Sequence, residues 1–254
     1  MELFYYLLIA LGLNVAMFIP AYKFKTDKLT DLSYGLTFVI LAVLVLFLNS
    51  ITEAKIILTL MVIAWGLRLG GFLFLRVRKF KKDSRFDGMR ESFFRFFRFW
   101  FLQGLTAWVV LVPALFFISS GGDSVLWAGF FIWLAGLIIE ATADWQKYRF
   151  SQKKENQGRF IQEGLWNYSR HPNYFGEILC WVGVYIFVFP GLSGLEPLLA
   201  LISPLFIISL LLFISGIPPL EKFADQKWGK EKAYQEYKKS TSILVPWFKK
   251  QGKK

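Results

Sequence analysis

The sequence predicts an all-α, polytopic membrane protein with about seven transmembrane helices, and three observations support this fold class. Of the 254 residues, 55% are hydrophobic and 19% are aromatic, whereas soluble domains are usually about 45–50% apolar. Seven apolar runs approach the roughly 20 residues that a helix needs to cross about 30 Å of hydrocarbon. The net charge of +12 lies in the segments between these runs, so we expect no nucleic-acid face and a single integral membrane domain over residues 1–254.

The predicted spans are placed by these apolar runs, in chain order. They cover residues 3–20, 32–48, 56–75, 99–118, 125–143, 174–190 and 197–217. The first run is interpreted as a retained span, because MELFYY lacks the basic start of a secretory signal and AMFIPAY is a poor cleavage site. The alternation of aromatic residues with arginine in SFFRFFRFWF predicts an amphipathic interfacial approach to the fourth span. In the third span, GLRLG predicts close helix packing at Gly66 and Gly70.

Basic residues indicate the orientation of the spans. The Lys and Arg counts are three in 21–31, one in 49–55, nine in 76–98, none in 119–124, six in 144–173, none in 191–196 and ten after residue 217. By the positive-inside rule, the amino terminus is outside and the carboxyl terminus is cytoplasmic. Basic segments such as RVRKFKKDSR also attract anionic headgroups by about 1 kcal/mol per residue, so membrane lipids are expected partners.

A polar constellation begins the sixth span, in NYSRHPNYFGEILCW. Pro172 suits the first turn of a helix. Asn173 and Glu177 are four residues apart and therefore share one helix face. The partial positive charge of the helix amino terminus, beside Arg170 and His171, suits a phosphate group.

Gly176 and Glu177 predict further contacts near the start of this helix. Gly176 removes side-chain bulk beside the polar face, so another group is expected to approach the backbone closely. Glu177 lies about one turn inside the predicted boundary, where a carboxylate must be paired, protonated or turned to a polar cavity. An interhelical hydrogen bond is the structural alternative to a ligand contact.

A second constellation ends the fifth span. Glu140 and Asp144 are four residues apart, and Lys147 continues the same face. This strip is either a snorkelling ion pair or part of a binding site. The loop that follows supplies cations for a phosphate or for lipid headgroups, namely Lys153, Lys154 and Arg159.

The segment GLWNYSRHPNYFGEILCWVGVYIF, with ADWQKYRF before it and YKKSTSILVPWF near the end, resembles the bacterial, largely uncharacterised branch of the steroid 5-alpha-reductase family. The likeness runs from about Asp31 to Phe248. The R-H-P-x-Y-x-G kernel is shared with isoprenylcysteine carboxyl methyltransferases and phospholipid methyltransferases. The resemblance implies a seven-span bundle in a bacterial inner membrane, with NADPH entering from the cytoplasm and its nicotinamide directed into a lipid-accessible cavity.

The same resemblance implies a cofactor-binding half at about 140–248. Asn173 and Glu177 match its N-x-x-G-E contacts, Asp144 matches an acid after the fifth span, and Arg159 matches an arginine upstream of the G-L-W/F turn. The expected cofactor-binding residues are Asn173, Glu177, Asp144, Arg159, Arg170, His171, Tyr174 and Tyr237.

The catalytic residues are left unassigned, because the sequence departs from the family at that point. The steroid-reducing members use a tyrosine in the third span and a glutamate near the second. Trp65 registers with the tyrosine, and Asp31 and Glu53 are the nearest acids. These three residues are the catalytic candidates. A metal site is not expected, since the chain has one histidine and one cysteine.

The sequence is compatible with three functions. The first is an NADPH-dependent reductase of a lipophilic enone or another activated C=C bond. The second is a methyltransferase that uses S-adenosylmethionine on a lipid or a lipidated thiol. Such relatives carry paired glutamates at the start of the carboxyl tail, whereas Lys222 follows Glu221 here. The third is a noncatalytic lipid-binding protein that binds neither cofactor.

Overall fold

The computed structural model describes residues 2–79, 86–120 and 122–248. Its regular elements are helices, and residues 169 and 242 form an isolated β-bridge. The α-helices of the described residues are Glu2–Lys23 (α1), Thr30–Leu48 (α2), Glu53–Lys79 (α3), Phe93–Ser120 (α4), Trp127–Gln152 (α5), Pro172–Val188 (α6), Glu196–Ala200 (α7), Ile202–Ser209 (α8), Ile217–Trp228 (α9) and Lys232–Ser240 (α10). The predicted all-α class is confirmed.

Seven helical segments of the described residues are long and apolar enough to cross a membrane, as predicted. They are Glu2–Lys23, Thr30–Leu48, Glu53–Phe72, Phe93–Ser119, Trp127–Gln152, Pro172–Gly191 and Glu196–Trp228. Large apolar side chains are exposed on these helices, for example Phe131 at 64% and Phe213 at 73%. Such exposure is suited to lipid contact. The chain is therefore an integral membrane protein, and its orientation stays a prediction.

The seventh span is assembled from several pieces. After α7 and α8, a π-helical turn at Leu210–Ile214 leads to Gly216 and then to α9. A side chain at Gly216 would lie 2.4 Å from the carbonyl oxygen of Leu211, so this bend requires glycine. The polar helix α9 begins at the bend, in line with the predicted end of the apolar run at residue 217.

The aromatic start of α4 is amphipathic, as the alternation with arginine predicts, and its interfacial position stays a prediction. The helix runs without a break from Phe93, and Phe96 and Trp100 are fully buried. They pack with Phe18 of α1 in one aromatic cluster. The alternation with arginine arises because these rings face the protein interior while Arg95 and Arg98 remain exposed. The basic segment 76–85, which we expected to contact lipid, lies outside the residues whose side chains are described.

The chain divides into two compact units. Unit 1 contains Met1–Trp127 and Val184–Ser203, and unit 2 contains Ala128–Gly183 and Pro204–Lys254. The expectation of a single domain over residues 1–254 stays a prediction. All eight expected cofactor-binding residues belong to unit 2, and the three catalytic candidates belong to unit 1.

In unit 1, helices α2 and α3 meet at glycines. A side chain at Gly35 would lie 2.8 Å from the carbonyl oxygen of Gly66 and 3.3 Å from the backbone nitrogen of Gly70. Small residues permit this backbone contact, which is a common form of helix association in membranes. The close packing predicted at Gly66 and Gly70 is confirmed.

A buried polar network joins α1, α2 and α4 in the same unit. The side-chain amide of Asn14 donates to Thr37 Oγ1 at 3.0 Å. Gln103 of α4 donates to Asn14 Oδ1 at 2.9 Å and to Ser33 Oγ at 3.0 Å. Asn14 is fully buried, and Thr37 and Ser33 are nearly so. Because the side chains satisfy one another, the network links three spans without burying a charge.

In unit 2, glycines bring α5 and α6 together. A side chain at Gly176 would lie 2.6 Å from the backbone nitrogen of Glu140, and one at Gly183 would lie 2.5 Å from that of Trp133. The group that approaches Gly176 is therefore helix α5. This contact aligns the polar end of α5 with the start of α6, where the constellations found in the sequence meet.

Candidate functional site

Unit 2 contains a cavity of about 280 Å³. The end of α5, the loop before α6, and helices α9 and α10 contribute its walls. Aromatic rings make up much of the lining, from Phe150, Phe160, Trp166, Phe223, Trp228, Tyr234 and Tyr237. Polar and charged groups complete it, from Lys147, Ser151, Arg159, Arg170, His171 and Glu221. Aromatic and charged groups thus converge on one small volume.

Glu221 is the centre of an ionic cluster in this cavity. One carboxylate oxygen accepts a hydrogen bond from Arg170 Nη1, and the other lies 2.9 Å from His171 Nε2. Lys238 of α10 brings its ammonium within 3.5 Å of the first oxygen. The side chains of Arg170, Glu221 and His171 are only 11%, 17% and 7% exposed. This shielding makes the cluster stronger than a surface ion pair and makes the loss of one member costly.

The imidazole of His171 is held toward its neutral form. Burial lowers its pKa below the ordinary value, although the hydrogen bond to Glu221 acts in the opposite direction. A neutral imidazole that donates Nε2–H to the carboxylate keeps Nδ1 as an acceptor. The ring stacks on Tyr174, with centroids 5.7 Å apart and planes at 9°. Its position is therefore set from two sides.

Helix α6 starts where the sequence predicts. Pro172 is its first residue, and the backbone N–H of Phe175 donates to the carbonyl of His171 at 3.2 Å. This places Arg170 and His171 immediately before the helix. Both side chains reach Glu221 in α9 and do not stand as bare cations at the helix amino terminus. This corrects the prediction that Arg170 and His171 are placed to bind a phosphate at the helix amino terminus, since both are bound to Glu221.

An aromatic cluster closes the side of the cavity near α9 and α10. Phe160 lies 5.2 Å from Tyr234 and 5.4 Å from Tyr237 between ring centroids. The indole N–H of Trp228 donates to the carbonyl of Gly158 at 2.5 Å. Gly158 has φ of +82°, a conformation that favours glycine. The loop that contains Gly158 and Phe160 is thus joined to α9 and α10 at the cavity wall.

Both tyrosines of the cavity remain protonated at neutral pH. Burial, as the largest cause, raises the pKa of Tyr234 to about 12 and raises that of Tyr237 as well. The hydroxyl of Tyr237 donates to the carbonyl of Trp166 at 2.7 Å. Tyr237 therefore offers a bound ligand its ring more than its hydroxyl.

Two cations remain around the cavity outside the Glu221 cluster. The ammonium of Lys147 lies 4.6 Å from the centre of the Trp166 ring, and the indole N–H of Trp166 donates to the carbonyl of Ala143 at 2.9 Å. Arg159 is exposed and lines the cavity from the loop. Arg159 therefore places a positive charge where a phosphate can enter from solvent.

The eight expected cofactor-binding residues form two groups. Arg159, Arg170, His171 and Tyr237 line the cavity. The other four follow α5 and α6: Asn173 donates to Asp144 Oδ1 at 3.2 Å, Tyr174 stacks on His171, and Glu177 is half-buried one turn after Asn173. The pairing of Asn173 with Asp144 joins the two constellations that were separate in the sequence.

Glu221 was not among the residues predicted for this site, and neither were Trp166, Phe160, Trp228 and Tyr234. Glu221 was considered only as part of a methyltransferase pattern. One signal was present: Glu221 comes directly after an apolar span and the pair Pro218–Pro219. No spacing rule connects that acid with Arg170 and His171, some 50 residues earlier.

The three catalytic candidates do not form one group. Trp65 is buried in α3, with its ring 4.9 Å from that of Phe38 in α2. Asp31 lies in the first turn of α2, about 10 Å along the helix from Phe38. Glu53 begins α3, about 18 Å along that helix from Trp65. Because α2 and α3 form an antiparallel pair, Asp31 and Glu53 lie at its opposite ends.

Comparison with known families gives one match. The model of a family described as Protein of unknown function (DUF1295) matches residues 17–241. The chain belongs to this family. The DUF1295 family consists of uncharacterised membrane proteins, and its model covers both constellations and the Glu221 cluster. No curated protein and no solved structure matches the chain.

Proposed function

We propose that this DUF1295 protein is a membrane-embedded, NADPH-dependent reductase of a lipophilic enone or another activated C=C bond, similar to steroid 5-alpha-reductases. The supporting observation is the cavity of unit 2, in which cationic side chains and aromatic rings converge. We further propose that this cavity faces the cytoplasm of a bacterial inner membrane, as the distribution of basic residues predicts.

The cations suit the phosphates of a dinucleotide. Arg159 lies where a phosphate would enter from solvent, and Lys147 adds a second charge on the wall. Guanidinium groups bind phosphate with two parallel hydrogen bonds. Arg170 is already bound to Glu221, so its role is to shape the wall and to lend part of its charge.

The aromatic rings suit a flat heterocycle. Trp166, Phe160 and Tyr237 offer ring faces or edges to the cavity, and stacking on such rings is favourable for any base. The volume of about 280 Å³ is at the lower end of small-molecule pockets, about 300–1,000 Å³. It accommodates one part of a dinucleotide, so the remainder would extend along the polar faces of α5 and α6, past Asn173 and Asp144.

The chemistry that bound NADPH supplies is a hydride, delivered to the electron-poor carbon of a conjugated C=C bond. The chain contributes binding, orientation and exclusion of water. An apolar substrate would reach the site from the bilayer, and a hydrogen-bond donor would stabilise the developing enolate oxygen. Trp65, Asp31 and Glu53 stay the candidates for this catalytic part.

A methyltransferase is the second candidate, and Glu221 is the observation that favours it. A carboxylate beside a guanidinium can bind the ammonium and carboxylate groups of S-adenosylmethionine, and the small cavity suits that smaller cofactor. In this case the acceptor would be a lipid or a lipidated thiol. Binding of neither cofactor would favour a noncatalytic lipid-binding protein.

Thermal shift of the detergent-solubilised protein separates these functions. We expect stabilisation by NADPH in preference to NADH and S-adenosylmethionine, because an exposed arginine favours the additional phosphate of NADPH. The variant Arg159→Gln should weaken NADPH binding by roughly tenfold, as expected for one lost charge-assisted hydrogen bond. Lys154→Gln, in the same loop but outside the cavity lining, is the matched control.

Each possible result leads to a different conclusion about the candidate functions. Selective stabilisation by S-adenosylmethionine would establish the second candidate in place of the first. Equal loss of NADPH affinity in Arg159→Gln and Lys154→Gln would show nonspecific attraction to the basic surface. A further step, consumption of NADPH with a lipophilic enone, measures the reaction itself.

A further inference from the structure

We propose that the carboxyl-terminal segment 241–248 sets the geometry of the cavity. It does so through Ser169, the positioning residue by which this segment orients Arg170 and His171. We name the pairing of residues 241–248 with residues 168–170 the tail clasp. The consequence for cofactor affinity rests on the proposed function, whereas the effect on His171 does not.

Three hydrogen bonds join the two segments of the tail clasp, and a fourth links Ser169 to His171. The N–H of Arg170 donates to the carbonyl of Ser242 at 2.8 Å, and the N–H of Trp247 donates to the carbonyl of Tyr168 at 3.1 Å. The hydroxyl of Ser169 donates to the carbonyl of Leu244 at 2.6 Å. The same oxygen accepts the N–H of His171 at 3.1 Å. Both N–H groups of the Arg170–His171 pair are therefore bound, one by the tail and one by Ser169.

Ser169 is suited to transmit the position of the tail. It is 0% exposed, and its single hydroxyl bridges Leu244 and His171, so the two ends of the bridge cannot move independently without breaking a buried hydrogen bond. A bridge between residues 169 and 242 in parallel register aligns the two segments. The backbone of Arg170 is thus held directly, and that of His171 through Ser169, by a segment more than 70 residues later.

The tail clasp is continuous with the cavity wall. Tyr237, one turn before the clasp, lines the cavity and donates to the carbonyl of Trp166. Arg170 and His171 line the same cavity and bind Glu221. A displaced tail would therefore change the distance of His171 from Glu221 as well as the shape of the wall.

A tail that served only to cover the surface would have different consequences. In that case the loss of its hydrogen bonds would lower stability but leave the imidazole environment of the folded protein unchanged. Since His171 is the single histidine of the chain, imidazole NMR of the folded, detergent-solubilised protein observes this residue alone and distinguishes the two roles.

The test compares Ser169→Ala with the conservative Ser169→Thr. In Ser169→Ala we expect the titration midpoint of His171 to move upward toward the ordinary value, because a released ring is less buried, and NADPH affinity to fall by roughly fivefold to tenfold. Ser169→Thr keeps the hydroxyl and should restore both. Ser240→Ala is the matched control, since that hydroxyl bonds only to Tyr237 within α10, at 3.4 Å.

A second variant keeps the proposal testable if Ser169→Ala does not fold. Trp247→Pro removes one N–H from the exposed end of the tail clasp and should move the His171 midpoint in the same direction by a smaller amount. A folded Ser169→Ala or Trp247→Pro protein with the wild-type midpoint overturns the proposal. If NADPH does not bind the wild type, the proposed function fails, and the imidazole titration still decides on the tail clasp.

Discussion

Unit 1 and unit 2 each contain a polar cluster, and the two clusters differ in charge and in access. In unit 1, Asn14, Thr37 and Gln103 are neutral groups that satisfy one another away from solvent. In unit 2, Arg170, His171 and Glu221 are ionisable groups on the wall of a cavity. Neutral closed networks join spans at low cost, whereas charged groups near a membrane are costly and are retained where they contact a ligand or solvent. Unit 1 also buries an ion pair, between Arg90 and Asp27, but the charged cluster of unit 2 lines a cavity, so we expect binding in unit 2.

The largest expected effect comes from breaking the charged cluster. Glu221→Ala leaves Arg170 and His171 shielded without their carboxylate, which should lower the free energy of unfolding by about 3 kcal/mol. It should also abolish the cofactor-induced thermal shift. Both are measured by thermal unfolding in detergent with and without NADPH.

The control for this change is Glu236→Ala, at an exposed position of α10, which should alter neither quantity. Should Glu221→Ala melt and bind like wild type, Glu221 would not organise the cavity and the contrast between the two clusters would disappear.

A smaller effect is expected from the neutral network. Asn14→Leu removes the hydrogen bonds to Thr37 and Gln103 and should lower the free energy of unfolding by about 1–2 kcal/mol, since interhelical bonds in membranes contribute about 0.6 kcal/mol on average. The NADPH affinity of the folded variant should be unchanged. Thermal unfolding and a binding isotherm give the two values.

Asn49→Leu is the matched control, because Asn49 directly follows α2 and its side-chain amide donates to the carbonyl of Val45 in that same helix, at 2.8 Å. A loss of NADPH affinity in a folded Asn14→Leu protein would contradict the division of roles, since it would give the neutral network a part in binding.

The smallest effect is a pH dependence of stability. Burial lowers the pKa of His171 in the folded state, so the unfolded state binds the proton more readily. The resulting stability is complete above the ordinary histidine pKa of about 6.5 and is lost as pH falls below it, by about 1.4 kcal/mol for each pKa unit of lowering.

Melting temperature between pH 7.5 and pH 5 measures this dependence, and His171→Gln should have a flatter profile. The groups that act on the imidazole are Glu221, Lys147 and Arg170, all of which the variant retains. Identical profiles for wild type and His171→Gln would show that the imidazole titrates alike in the folded and unfolded states.

The sequence predicted the fold more completely than the site, for a physical reason. Spans are recognised from local composition, so all seven were placed, with ends shifted by several residues, as where α4 begins at Phe93. Site residues next to each other in sequence, such as Arg170 and His171, were also found. Which segments meet at long range was not predicted: the aromatic start of α4 packs on Phe18, and the group whose approach was expected at Gly176 is α5.

By itself, the sequence determined that the chain is an all-α membrane protein and that polar chemistry gathers at the start of α6, because hydropathy, charge and proline position act locally along the chain. Only the tertiary structure decided which groups face one another. Glu221 reaches Arg170 and His171, and Ser169 meets Leu244, because helix packing brings distant segments together. The chemistry of the cavity depends on those contacts, and no local pattern encodes them.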